Sequence, residues 1–414
     1  MPDPTPNVHA NGLPSNLPLY GIRVLDLASY IAAPVAATVM ADYGATVIKV
    51  EPPNGGDPNR SIRQVSSYPP SAVNYPWEMD SRGKRSIAIN LQSESGRQAL
   101  YRLIKSTDVL VTNSPPLVRR RLKIDYDDVK NLNPKLIYAA FTGYGEAGPD
   151  RDHLGFDSTA YFARSGLSDC NRYEDQPPGP AQPAQGDRAS GISLLAGIMM
   201  ALWSREKTGT GTLVTSSLLA NGLWANGVAA QAALLGSTLP PRPPRHRPRN
   251  AVTNPYLTRD KRWLQLTMVR EDTGWTPFCK ALGKPELEHD PRFATPAARR
   301  TNAADLVAQL DAVFASNDWA HWRDKLREAG TPVGLIGIMS DLRRDEQATA
   351  CGAVVTTDNP SMPLTLAAPF GLASAPIPPA KPAPALGEHT DAVLLEAGFN
   401  IDEIATMRTQ GGVA

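Results

Sequence analysis

The sequence predicts an α/β protein, a doubly wound parallel sheet followed by a smaller α+β domain. Three observations carry that prediction. A strand–helix–strand unit fills residues 21–53, further β-branched apolar runs separated by helical stretches continue to about residue 225, and a proline- and arginine-rich connector at 239–250 ends the pattern. Strands that alternate with helices need crossover connections, which pair them in parallel and place helices on both faces.

The first strand is "GIRVLDLA" (21–28), bounded by glycine. "PVAATVMADYG" (34–44) reads as a helix, with Pro34 in its first turn and Gly44 at its end. "ATVIKVEPP" (45–53) is a second strand stopped by prolines. "RSIAINL" (85–91), "DVLVTN" (108–113) and "KLIYAAFTGYG" (135–145) are further strands, with helices near 93–105 and 124–132 between them. The connector "LPPRPPRHRPRN" (239–250) is extended, because proline removes donors and fixes φ. "NPYLTRDKRWLQLTMV" (254–269) predicts a hairpin turning at "RDK", and a mainly helical region follows to about 330. The chain then returns to strand and loop before the helix "HTDAVLLEAGF". The predicted boundaries are a disordered N-terminus at 1–18, the first part of the large domain at 19–225, a linker at 226–250, the small domain at 251–335, and a linker with the C-terminal part of the large domain at 336–414.

Composition narrows the function classes. With 42% hydrophobic and 20% charged residues the chain is an ordinary soluble protein. A net charge of +1 provides no field for nucleic acid or an anionic membrane. Cys170, Cys279 and Cys351 lie far apart, which predicts a reducing compartment without a disulfide framework or zinc site. The polar, proline-rich start does not read as a signal peptide, and no run reaches the ~18 apolar residues of a membrane span. A cytoplasmic protein is expected. His9, His153, His246, His289, His321 and His389 never fall in metal-ligand spacing, so no metal is expected.

The first strand–helix–strand unit invites a dinucleotide reading, with Glu51 where a ribose-binding acid would lie. Its turn is "DLASYIAAP", without the glycines that let a backbone approach a pyrophosphate. Glu51 therefore reads as a strand-end charge facing solvent. No GxxxxGK[ST] loop is present, and "ARSGLSD" lacks the GxSxG pattern of a serine hydrolase. The stretch that stands out is "AQGDRASG" (184–191), which sets Asp187 between two glycines at the mouth of a long apolar helix. Two readings are open there. Asp187 caps the helix by accepting a backbone N–H, or it is an accessible carboxylate able to act as a covalent nucleophile.

Taken together and in order, several stretches resemble the class III coenzyme A transferases and the related 2-methylacyl-CoA racemases. They are "LYGIRVLDLASYIAAPVAATVMADYGATVIKVEPPNGGDPNR", "DSRGKRSIAINLQSESGR", "RRRLKIDYDDVKNLNPKLIYAAFTGYGEAGPDRDHLGFDSTA", "QGDRASGISLLAGIMMALWSREKTGTG", "DPRFATPAARRTN" and "LAAPFGLASAP" with "LGEHTDAVLLEAGF". The resemblance implies a Rossmann-like large domain, a smaller inserted domain and an interlocked homodimer. It places the family's catalytic aspartate on Asp187 and implies CoA transfer from an acyl-CoA to a small organic acid, through an aspartyl–acyl anhydride and an aspartyl–CoA thioester. Coenzyme A and acyl-CoA are then substrates, and no permanently bound cofactor is implied. The family's CoA loop falls on Ser29, Tyr30, Ile31 and Ala32, with Ile31 where one transferase uses glutamine. Arg121 matches a CoA-phosphate arginine, although "RRR" also reads as a solvated run. Lys84, Arg85 and Asn113 fall on stretches near the cofactor. No counterpart of the glycine-rich loop that shields the intermediate in formyl-CoA transferase occurs between 245 and 275.

The racemases carry a proton-transferring histidine in "GHD"; this chain has Gly155-Phe156-Asp157, and phenylalanine moves no proton. Transferase is therefore favoured over racemase, with Asp157 kept as a polar partner of the site or a structural acceptor. Arg188 and the arginines of 242–249 suggest a second carboxylate on the donor, as in succinyl-CoA. A CoA-binding protein without turnover is the alternative from another class.

Overall fold

A computed structural model describes residues 16–414. Most of the predicted disordered start therefore lies outside the described residues. Leu17 within it is buried, its side chain beside Gly44. The described chain forms two compact units. One comprises the chain up to Asp169 with Pro180–Ser237 and Glu346–Ala414, and the other Cys170–Gly179 with Thr238–Asp345.

The first unit is built on six strands, β1 (Arg23–Asp26), β2 (Thr46–Glu51), β3 (Arg85–Ala88), β4 (Val109–Thr112), β5 (Ile137–Thr142) and β6 (Leu213–Ser217). Their order in the sheet is β3-β2-β1-β4-β5-β6, and every neighbouring pair is parallel. This is the doubly wound order, in which the strand order reverses between β1 and β4 and opens a crevice at their carboxyl ends. Both β4 and β5 are buried along their whole length, as strands covered on two faces must be. The edge strand β6 was not predicted. Its "LVTSS" is polar and half exposed, which leaves little apolar signal in the sequence.

One face of the sheet is covered by α1 (Ala32–Asp42) and α2 (Gln185–Thr208). Alanine at five positions from Ala32 to Ala41 lets α1 lie close to its neighbours, and ten of its residues are buried. Gly191 makes the contact with α2 possible. A Cβ there would sit 2.5 Å from the Ala32 carbonyl oxygen. The opposite face buries Leu25, Ile48, Ile87, Leu100 and Tyr138 under the C-terminal helices that carry Val393 and Met407. Helix Ile401–Thr409 was not predicted, but it opens with a full capping box at Asn400 and Glu403.

In the second unit the predicted hairpin forms from β7 (Thr253–Leu257) and β8 (Trp263–Thr267). Lys261 occupies the left-handed region at its turn, φ +59°. A third strand, β9 (Val333–Leu335), pairs with β8, and helices pack Phe278, Leu310, Phe314 and Trp322 against Tyr256. Within the stretch read as a linker, Gly227–Leu234 is helical and belongs to the first unit. Among the described residues no helix is long and apolar enough to cross a membrane, and no group of three or more His, Cys, Asp or Glu side chains is arranged to hold a metal ion.

Candidate active site

Helix α2 begins at Gln185, not at the apolar run that follows Asp187. Ala184 stands at its N-cap in the left-handed region, φ 65°, and provides no side-chain cap. Asp187 is thus the third residue of the first turn, and the capping reading is corrected. The charge that faces the open amides comes from elsewhere. Asp157 begins a π-helical turn, Asp157–Ala163, and accepts a hydrogen bond from the Ser158 amide at 2.7 Å. The amides of Ala184 and Gly186 point toward its carboxylate, although Oδ2 is buried without a closed hydrogen bond. Single π-helical turns of this kind are concentrated at functional sites.

Gly186 is required by close approach. A Cβ at this position would lie 2.5 Å from the Tyr161 ring carbon Cγ, so the π-turn packs directly on the start of α2. That contact brings Asp157 into the electrostatic field of Asp187. Burial is the largest influence on the half-buried Asp187 carboxyl. With Asp157 and Asp80 as like charges it pushes the group up to about 7, while Arg188 acts in the opposite direction. Among the described residues the Asp187 carboxylate makes no hydrogen bond. The result is a carboxyl that is ionised near neutral pH yet neither paired nor fully hydrated. Asp157 is also raised, chiefly by burial.

Arg188 does not reach out to a ligand. It grips the buried carboxylate of Asp80 with two bonds, 2.6 and 3.2 Å. The connector arginines are likewise taken by their own unit. Arg242 donates to the Asn171 carbonyl, Arg245 to Asp311, Arg247 to Glu174, and Arg249 to the carbonyls of Pro240 and Pro241. The argument for a dicarboxylyl donor thereby loses its residues.

The other predicted contacts divide into exposed and supporting groups. Tyr30 and Phe156 are exposed and meet edge to face, with ring centroids 5.9 Å apart. Arg121 is exposed on helix Pro116–Leu122, whereas its neighbour Arg119 is buried against Glu146 and Asp125. Ile31 and Ala32 are buried, so only their backbone can line a ligand. Arg85 pairs with Glu396 at 2.8 Å. The side chain of Lys84 is fully enclosed, and its Nζ bonds Asp26 and the Pro34 carbonyl, both at 2.9 Å. Asn113, at the end of β4, gives both ends of its amide to Ser29. Its Oδ1 accepts from the Ser29 N–H (2.8 Å) and its Nδ2 donates to the Ser29 carbonyl (2.7 Å). Lys84 and Asn113 thus support the first loop, Lys84 fully enclosed and Asn113 half-buried. Glu51 is corrected as well. It is 1% exposed and accepts from Arg60, Ser86 and the Asp57 amide.

The profile of CoA-transferase family III matches residues 19–390. The chain belongs to that family. Over 389 residues it is 32% identical to the (R)-2-hydroxy-4-methylpentanoate CoA-transferase of Clostridioides difficile, covering 93% of this chain and 97% of the relative. It is also 32% identical over 395 residues to the cinnamoyl-CoA:phenyllactate CoA-transferase of Clostridium sporogenes, with coverage of 93% and 94%. The crystal structure of a CaiB/BaiF family protein from Brucella suis superposes with a TM-score of 0.81 at 28% identity, over 92% of this chain and all of that one.

For this class III CoA-transferase, sequence reasoning passed over four residues near the proposed chemistry. Tyr68 lies within the fields of Asp80, Arg188, Asp187 and Asp157, and burial pushes its phenol up to about 12. Asp80 holds Arg188. Asp57 and Lys49 hold the loop after β1. The only local signal was "GGDPNR", an Asp-Pro turn.

Proposed function

We propose that this class III CoA-transferase moves CoA from an acyl-CoA to a free carboxylic acid by covalent catalysis at Asp187. The observation that carries the reading is the Asp187 carboxyl itself: half-buried in the first turn of α2, without a hydrogen-bond partner among the described residues, and raised to about 7. A carboxylate with a raised pKa is a stronger nucleophile than an ordinary one and still ionises at neutral pH.

The bonds balance over four steps. Asp187 attacks the thioester carbonyl, forming a mixed anhydride and releasing CoA thiolate. The thiolate attacks the aspartyl carbonyl, giving an aspartyl–CoA thioester and the free donor acid. The acceptor carboxylate attacks that thioester, forming a second anhydride and releasing thiolate again. The thiolate then attacks the acceptor's carbonyl, and Asp187 leaves as the carboxylate. Each step exchanges one activated acyl group for another of similar energy.

The acceptor is read as a monocarboxylic acid with an apolar side chain. The two relatives named above act on such acids, and a mainly apolar cavity of about 310 Å³ takes its lining from Val35, Val39, Met79, Ile192 and Ala368, with Asp80, Arg82 and Arg188 as its charged side chains. Racemisation is disfavoured because Phe156 stands where a proton carrier would be needed. An interlocked homodimer remains part of the proposal. Trp203, Trp224, Val228, Leu234 and Leu235 are all more than 60% exposed, an apolar area that a second copy would cover and that the mass of the chain in solution tests.

The deciding experiment is intact mass after incubation with acyl-CoA donors, branched, aryl and succinyl, on wild type and Asp187→Asn. An acyl- or CoA-sized adduct on wild type alone is expected, with turnover of the variant reduced at least about 10³-fold. Adducts on both proteins would move the nucleophile elsewhere. A preference for succinyl-CoA would overturn the apolar acyl reading.

A further inference from the structure

We propose that Asp57 and Lys49 are positioning residues of the CoA site, which act by holding the backbone of Ala28–Tyr30 in one conformation. The inference rests on the reading of this loop as part of a CoA site.

The loop leaves β1 at the point where the strand order reverses, the position at which doubly wound folds bind ligands. It lacks the glycines that usually make this turn. Tyr30 takes the left-handed conformation instead, φ 63°, which an L side chain adopts only when its surroundings hold it there. The surroundings are unusually complete. The Ala28 amide donates to Asp26 Oδ1 (3.1 Å), and the Ala28 carbonyl accepts from Lys49 Nζ. Both backbone groups of Ser29 are taken by Asn113. The Tyr30 amide donates to Asp57 Oδ1 (3.0 Å).

Asp57 is itself fixed. Its Oδ2 lies 2.7 Å from Lys49 Nζ, its Oδ1 also accepts from the Asn59 amide (2.9 Å), and its own amide donates to Glu51 (2.9 Å). Lys49 in turn lies 3.6 Å from Asp26, which Lys84 holds from the other side. Lys49, Asp26 and Asp57 are 0–2% exposed, so they cannot contact a ligand. What they determine is where the backbone of residues 28–30 and the exposed Tyr30 ring stand. A network of buried charges is costly to assemble and strongly coupled once assembled. The loop is where this network meets the carboxyl ends of the strands.

The test titrates CoA calorimetrically into wild type, Asp57→Ala and Asp57→Asn, with acyl transfer kinetics and hydrogen exchange over residues 27–33 alongside. Asp57→Ala is expected to weaken CoA about tenfold and raise KM for acyl-CoA in step, with kcat at saturation within about twofold of wild type. Exchange over 27–33 should quicken. Asp57→Asn keeps an acceptor for the Tyr30 amide and should recover most of the affinity. Asn113→Ala loosens the same loop without touching the buried charges, and should raise the CoA Kd even if Asp57→Ala fails to fold. Unchanged CoA affinity in a variant whose loop exchanges faster overturns the proposal. So does a fall in kcat that follows the folded fraction equally in both Asp57 variants. Wild type that binds no CoA overturns the reading of the site itself, and the inference with it.

Discussion

Two turns of the first unit meet the same demand, a left-handed non-glycine residue at the mouth of a helix, and meet it in opposite ways. Tyr30 precedes α1, and its loop is saturated with hydrogen bonds from Asp26, Lys49, Asn113 and Asp57. Ala184 precedes α2, has no capping side chain, and is followed by a carboxylate without a hydrogen-bond partner among the described residues. A left-handed alanine or tyrosine costs on the order of 1 kcal/mol, so each turn is held by its context. In the first the context is a buried charge network. In the second it is packing, with Tyr161 against Gly186. The contrast teaches a division of labour. The first loop is bonded along its backbone, whereas the second leaves free the carboxylate proposed as the nucleophile.

The largest effect should come from breaking the packed turn. Gly186→Ala places a methyl 2.5 Å from Tyr161 Cγ and forces the π-turn away. A loss of about 1–3 kcal/mol by chemical denaturation is expected, with a marked fall in acyl transfer. Wild-type behaviour would show that the turn is held by something other than this contact.

A smaller effect sharpens the electrostatic side. In the proposed mechanism only ionised Asp187 attacks, so kcat/KM should rise with pH through about 7. Asp157→Asn removes a like charge, and the midpoint should move to lower pH by up to about one unit. An unmoved midpoint in the pH–rate profile would separate the two carboxyls.

The smallest effect is on stability. Asp187 has a higher pKa folded than unfolded, so the folded chain binds the proton more tightly, and its stability falls as pH rises from about 4 to about 7. Asp187→Asn removes that cost. The variant should be more stable than wild type by about 1 kcal/mol at pH 8, a figure discounted for a half-open carboxyl, with the difference gone near pH 4. Thermal melts at both pH values measure it.

The sheet was legible because β2, β4 and β5 are rich in Val, Ile, Leu and Ala, with β4 and β5 buried throughout and β2 buried beyond Thr46. β6 was not, since an edge strand with polar alternation resembles loop. Asp187 was legible as a residue but not as a geometry. The start of α2 is set by Ala184 and by Asp157, about thirty positions away, and no local pattern reports so distant a partner. The same limit misplaced Glu51, Lys84 and Asn113. Each is a polar residue at a strand end or just before a strand, which in sequence reads as exposed. In the fold each finds its partner across the sheet, Glu51 in Ser86, Lys84 in Asp26 and Asn113 in Ser29.

The enclosed lysines have a chemical consequence. Acyl-CoA thioesters acylate free amines without any catalyst, and the covalent intermediate proposed for Asp187 would keep such a reagent in the interior of the enzyme. The two amines that support the first loop are sealed from it. The Lys49 and Lys84 side chains are 1% and 0% exposed, each is ion-paired, and the opposing carboxylates hold Lys49 above its ordinary pKa. Burial pulls Lys84 below its ordinary pKa, so enclosure and not charge is what shields that amine, and both side chains are kept out of reach of the compounds that the fold handles.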